Sequence, residues 1–243
     1  MQSYLGNYPG SRSNPEEKFH RAVKSFLNQT YSEKELVIVS DGCPKTMKIF
    51  YENYALYDNI KFLYLHNSKE RMYSLENGNT LYRGKPKAMG VEFATGDIIT
   101  YMDSDDIILP KRLEDLYLNW KDKDDNILWS NNPMRYMNSK HVRNVNKYHL
   151  TLEDRTSFFY DYGIDDEYVL NSVLESKEQF VFLGGTWALS HRKHLVIKWM
   201  DSFDIPEDHL FLKKLISIGQ GFCYESPTYI LCHCSNSWGL WDN

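Results

Sequence analysis

Cysteine is scarce: four residues (Cys43, Cys223, Cys232 and Cys234) in a chain of 243. So few thiols form no disulfide framework at this length, so stability has to come from an apolar core, and a reducing, cytoplasmic location is expected. Long hydrophobic runs are missing as well. No stretch approaches the ~20 apolar residues needed to cross a bilayer, and no transmembrane segment is expected. The opening "MQSYLGNYPG" has no basic start and no apolar stretch behind it, so no secretory leader is expected. Positive charge is in deficit, with 28 Lys and Arg against 33 Asp and Glu and a formal charge of −5, which argues against nucleic acid as a partner. Repeats and low-complexity tracts are also absent.

What is present begins with aromatics: 15% of the chain, 18 of them Tyr. Such side chains suit a surface that binds sugars or nucleobases and equally an aromatic-rich core. The length allows one large domain or two small ones. Along the chain, "NPEEKFHRAVKSFLNQTY" predicts a helix. Asn14 is placed to cap it, Pro15 suits its first position, and Phe19, Ala22, Val23, Phe26 and Leu27 fall on one face. "KELVIVSDG" follows. Its continuous run Leu36 to Val39 predicts a strand buried on both faces, closed by the Asp41-Gly42 turn. Helix "TMKIFYENYALY", strand "IKFLYLH", helix "KPKAMGVEFATG" ending at Gly96, strand "DIITYM" and helix "LPKRLEDLYLNWK" opened by Pro110 continue the alternation. That order predicts a doubly wound α/β sheet, whose ligands sit beyond the carboxyl ends of the strands. Residues 126–180 give no readable order. "QFVFLGGTWALSHRKHL" reads as strand, glycine turn, strand and helix start, "PEDHLFLKKLISIG" as an amphipathic helix, and "GFCYESPTYILCHC" as a strand pair or one long bent strand.

The chemistry concentrates where strands end. "ITYMDSDDIILP" delivers Asp103, Asp105 and Asp106 from an apolar strand within four positions. Carboxylates that close repel and raise one another's pKa unless water or a cation lies between them. A plainer alternative is an acidic turn that caps the following helix.

The segments "AVKSFLNQTYSEKELVIVSDG", "AMGVEFATGDIITYMDSDD", "GGTWALSHRKHL" and "EDHLFLKKL" resemble, in order and spacing, the family 2 glycosyltransferases. The likeness is close over 15–118, patchy over 180–238 and absent between 120 and 180. It implies a GT-A fold: a Rossmann-like nucleotide-binding sheet fused to a smaller acceptor-binding part, in one compact unit. Residues 1–120 would be the nucleotide-sugar half, and 121–243 the acceptor half with a C-terminal segment closing over metal and donor. The implied reaction is inverting transfer of a sugar from a nucleotide-diphosphate sugar, UDP favoured, to a hydroxyl of a saccharide or glycan acceptor.

That resemblance also assigns roles. A nucleoside diphosphate leaves with developing negative charge, which a bound Mn²⁺ or Mg²⁺ neutralises; such hard cations take carboxylate oxygens and keep several waters. Asp105 would ligate the metal and Asp103 would face the ribose, with Ser104 between them, while Asp106 would support through water or cap the next helix. Asp41 would accept a hydrogen bond from uracil or ribose, or is simply a turn residue. Ser3 and Tyr4 would line the base pocket, and Arg83 and Lys87 would lie near the diphosphate, or form a solvated basic face. Asp208 would be the general base, with Glu207 binding the acceptor or orienting the site; an ordinary acidic helix start is the alternative. Gly184 and Gly185 would allow close backbone approach beneath the acceptor, and Trp187 would stack on a sugar or fill core. His233 would be a third metal ligand or a packed histidine, zinc being disfavoured because adjacent residues in "CHC" cannot wrap one tetrahedral ion. Two other functions compete: a nucleotide- or carbohydrate-binding module with little turnover on the same fold, and a phosphohydrolase using a DxD nucleophile, for which Ile107 and the missing partner motifs are a poor match.

Overall fold

A strand that reads apolar at every position needs cover on both faces, and β2 (Leu36–Asp41) has it. In the computed structural model, which describes residues 1–6, 15–66, 76, 81–123, 127–131, 134–135, 189–195, 197–203, 207–208, 210–211, 214, 221–225 and 228–231, all six β2 residues are buried. Leu36 and Ile38 point into one core with α1 (Pro15–Leu27) and α2 (Pro44–Asn53). Val37 and Val39 point into the other, against Ala88, Val91 and Ala94 of α3 (Lys85–Phe93) and its C-terminal cap. The predicted face of α1 is the buried one: Phe19, Ala22, Val23 and Phe26 are in the core, with Leu27 at its edge.

β2 is the middle of a parallel sheet, β1 (Gln2–Ser3), β2 and β3 (Ile60–Leu65), in which Ser3 pairs with Ser40 and Asp41 with Leu65. Gly42 turns the chain at φ 70°, a conformation that favours glycine. β4 (Ile98–Thr100) departs from the predicted parallel series. It pairs antiparallel with β8 (Leu189–Arg192) in a second sheet ordered β4-β8-β6-β9, where β6 is Ile127–Asn131 and β9 is Gly221–Glu225. A third sheet joins β5 (Ile107–Ile108), β10 (Tyr229–Leu231) and β7 (Met134–Arg135). The segment read as one bent strand or a pair is therefore two strands in different sheets, because Tyr229 and Ile230 find partners in Ile108 and Ile107. The fold is α/β, with a mixed rather than wholly parallel continuation after β3.

α4 (Arg112–Trp120) starts two residues later than Pro110 suggests, with Lys111 at its N-cap. Pro110 serves instead as an acceptor: its carbonyl takes the Thr30 N–H at 2.8 Å. Beside it, Gln29 donates to the carbonyls of Ser25 (3.0 Å) and Leu109 (2.7 Å) and accepts from Leu113 N–H (3.0 Å). The "NQTY" end of α1 thus fastens the stretch that leaves the acidic tip. No helix among the described residues is long and apolar enough to cross a membrane.

Candidate functional site

At the carboxyl end of β2, Asp41 is 1% exposed and would be a costly buried charge alone. Arg83 answers it. Its Nη2 donates to Asp41 Oδ1 at 2.8 Å and its Nε to Oδ2 at 3.1 Å. The same guanidinium donates through Nη1 to Asp201, whose other oxygen accepts the Lys85 N–H at 2.8 Å. Arg83, expected near a diphosphate, is thus buried and shared between two carboxylates. Ser3, also buried, lies 3.3 Å from the Thr46 hydroxyl, and Tyr4 packs at the edge of the core beside it.

The acidic tip resolves its own repulsion by separating its members. Asp106 turns inward, 2% exposed, and accepts the Tyr229 hydroxyl proton at 2.9 Å. That hydroxyl also accepts the Asp103 N–H at 3.1 Å, so one phenol clamps both ends of the turn. Burial first, then the charges of Asp106 and Asp103, push the Tyr229 phenol well above its ordinary range, so it stays protonated as the donor. Asp106 therefore neither caps α4, whose N-cap has no side-chain hydrogen bond, nor faces outward. Asp103, Ser104 and Asp105 remain partly exposed, and the Arg21 guanidinium holds the Asp105 carbonyl at 3.0 Å.

Lys87 gathers the third set of charges. Its ammonium donates to Glu207 Oε1 at 2.5 Å and sits 4.8 Å from the centre of the Trp199 ring. Burial pulls its pKa down; the charges of Glu207, Asp103 and Asp208 together outweigh that and hold it above the ordinary lysine value. The expected base and its neighbour, Asp208 and Glu207, are both helical and partly buried. The tip of the β4 segment and this acidic pair, more than a hundred positions apart in sequence, thus act on one ammonium.

A divalent cation would find hard oxygen donors here but no closed cage. No group of three His, Cys, Asp or Glu residues among the described residues is arranged to hold a metal. With Asp106 turned to Tyr229, the donor set suits a cation that takes one carboxylate, substrate phosphates and waters. His233, Gly184, Gly185, Trp187 and the capping residue Asn14 lie outside the described residues.

Asp201, Tyr229 and Arg21 were missed in the sequence. Asp201 follows "KWM" with no motif around it, and Tyr229 sits in a strand that reads as plain core. Arg21 is one of three cations on α1, with Lys18 and Lys24, and no local pattern singles it out.

Comparison with known proteins bears on the whole arrangement. The family model described as Glycosyl transferase family 2 matches residues 13–182. The glycosyltransferase GlyG of Streptococcus pneumoniae serotype 4 is 29% identical over 109 residues, 45% of this chain and 33% of that protein. An uncharacterized glycosyltransferase of Methanocaldococcus jannaschii is 30% identical over 153 residues, 57% of this chain and 49% of the relative. The crystal structure of S. aureus TarS 1-349 in complex with UDP-GlcNAc superposes with a TM-score of 0.63 at 18% identity, covering 95% of this chain and 58% of that one. At that identity the likeness shows the fold. The chain spans a third to a half of the length of these two curated relatives.

Proposed function

This chain belongs to glycosyl transferase family 2, and from that premise we propose that it moves a sugar from a nucleoside-diphosphate sugar, a UDP-sugar by preference, to a hydroxyl of a saccharide or glycan acceptor with inversion. The observation that supports the reading is the Lys87–Glu207 contact at 2.5 Å, which joins the expected donor side to the expected acceptor side, with the charges of Asp103 and Asp208 also raising the Lys87 pKa. The UDP-GlcNAc bound by TarS supports the choice of donor class.

In this reading residues 1–120 bind the nucleotide and the later residues bind the acceptor. Ser3, Tyr4 and Asp41 line the base end, and Asp103 with Ser104 faces the ribose. Lys87 keeps its proton and offers positive charge beside the departing diphosphate. Asp208 lies near the acceptor hydroxyl. As the new bond from that oxygen to the anomeric carbon forms, Asp208 takes the hydroxyl proton, and the bond from the anomeric carbon to the phosphate oxygen breaks with its electron pair leaving on the diphosphate. Glu207, tied to Lys87, orients the site from the acceptor side. Mn²⁺ or Mg²⁺, held by Asp105 and in the fuller version by His233, would neutralise the charge that develops on the leaving group.

Two experiments test this. Release of nucleotide from a panel of UDP-, GDP- and TDP-sugars with Mn²⁺ should single out one donor. UDP with Mn²⁺ should raise the melting temperature, and Asp105→Ala should abolish the rise. If none of the three diphosphates with metal shifts the melting temperature, the donor assignment is wrong.

A further inference from the structure

Asp201 stands outside every motif, yet it touches two elements of the nucleotide half at once. One carboxylate oxygen pairs with Arg83 Nη1, and the other accepts the Lys85 N–H at 2.8 Å in the first turn of α3. α3 has Gly84 at its N-cap and no capping side chain of its own there, so Asp201 supplies the oxygen from a distant segment. The backbone leaves Asp201 little freedom. Tyr82 and Ser202 exchange both N–H to carbonyl bonds, at 2.8 and 3.0 Å. Gly84 lies so close to Met200 that a Cβ there would stand 2.3 Å from the Met200 carbonyl oxygen, so the two segments are in direct main-chain contact.

We propose that Asp201 is a positioning residue for the donor: by sharing Arg83 it holds the Asp41 carboxylate where a nucleobase N–H or ribose hydroxyl reaches it. The proposal rests on the donor reading above. Its physical basis is a division of charge. Arg83 is 4% exposed and Asp41 1%, so their alignment is set by the few groups they touch and not by water. The guanidinium forks onto both Asp41 oxygens through Nε and Nη2, and with Asp41 as its sole anion the whole of its charge would be spent there. Asp201, a second anion fixed on the opposite side of the guanidinium, draws part of that charge away and sets the plane of the fork. Asp41 then keeps acceptor strength toward a ligand while its buried charge stays compensated. The same contact ties the loop before α3, and hence Lys87, to the segment that leads to Glu207.

The test is Asp201→Asn in the full chain. Asparagine keeps an oxygen for the Lys85 N–H and removes the charge. Titration of UDP in the presence of Mn²⁺ should show about tenfold weaker binding, equivalent to ~1.4 kcal/mol, and the donor KM should rise by a similar factor while kcat changes much less. Asp201→Glu, which restores the anion, should recover part of the affinity. If Asp201→Ala does not fold, the Asn and Glu variants decide. Wild-type UDP affinity in Asp201→Asn, or a loss confined to kcat, overturns the positioning role and leaves the donor reading standing. A wild-type protein that binds none of UDP, GDP and TDP removes the donor reading, and this inference with it.

Discussion

Tyr229 decides how the acidic tip is built. Its hydroxyl gives a proton to Asp106 and takes the Asp103 N–H, which leaves the Asp103–Asp105 edge facing out. Tyr229→Phe removes both bonds with almost no change of shape. Losing the hydrogen bond to a buried carboxylate costs about 1–3 kcal/mol, so the urea midpoint should drop correspondingly with the slope unchanged; no drop would mean that Asp106 gains nothing from the phenol. Asp208 is proposed for a different kind of role, because a general base would act in the reaction and not in the fold. Asp208→Asn should lower kcat about 10²–10⁴-fold with UDP affinity retained, and a variant that still turns over normally would move the base elsewhere. Legibility at this scale followed the same division. The positions of Asp41, Asp103, Asp105 and the Glu207-Asp208 pair could be read because strand ends and helix starts mark them, and their proposed roles come from the family resemblance. Tyr229 and Asp201 could not, because a lone Tyr or Asp carries no sign of which distant turn it holds.

Elements bring their own electrostatics. Glu35, at the entry to β2, accepts the Gly96 N–H at 2.8 Å and the Thr95 hydroxyl at 3.0 Å, and it pairs with Lys61 of β3. It therefore joins two adjacent parallel strands to the turn between α3 and β4. Burial alone would raise its pKa; the hydrogen bonds from Lys61, Thr95 and Gly96 outweigh that and bring it from 4.5 down to about 2. A folded-state pKa below the unfolded one means the unfolded chain binds more protons in that window. The stabilisation is complete above pH 4.5 and is lost as pH falls toward 2. Melting temperatures of wild type and Glu35→Gln should thus differ at pH 6 and converge as the acid limb is descended. Parallel curves would assign the acid sensitivity to other groups. The helices and β2 and β3 could be read because each carries a complete local pattern: a 3.6-residue face, an apolar run, an Asp-Gly stop. β4, β8 and β10 were harder, since their partners lie about sixty to a hundred and twenty residues away and no local pattern says whether a pairing is parallel or antiparallel.

At the scale of the whole molecule, the proposed nucleotide and acceptor halves share one core. The core that covers Val37 and Val39 of β2 is completed by Leu189, Trp199 and Phe211 from the second half. Trp199 and Phe211 stack with centroids 3.9 Å apart, and Trp199 donates to the Tyr101 hydroxyl at 3.1 Å. That hydroxyl lies 2.7 Å from His191 Nε2, on the strand that pairs with β4, and His191 Nδ1 lies 2.9 Å from the Arg192 carbonyl. With Trp199 donating to it, the Tyr101 O–H donates a hydrogen bond to Nε2, and Nδ1–H donates to the carbonyl: a neutral imidazole, fully buried. Burial pushes His191 below its usual 6.5, against the weaker upward pull of the Arg192 carbonyl. The sign follows as for any group that folding keeps unprotonated. Stability is complete above about pH 6.5 and declines as pH drops below it, because the unfolded chain takes up a proton that the folded core resists. The same network predicts the fate of a divided chain. A fragment of residues 1–123 keeps the β1-β2-β3 sheet and helices α1 to α4, yet it removes the partners of β4 and β5 and exposes the faces of Val37, Val39, Ile99 and Tyr101 that Leu189, Trp199 and Phe211 cover. Such a fragment should retain far-UV helix signal, lose near-UV signal and melt without a cooperative transition, whereas the intact chain melts in one step. A sharp, reversible transition in the fragment would mean that the nucleotide half carries a sufficient core of its own, and that the buried His191–Tyr101–Trp199 contact serves to dock two independently stable units.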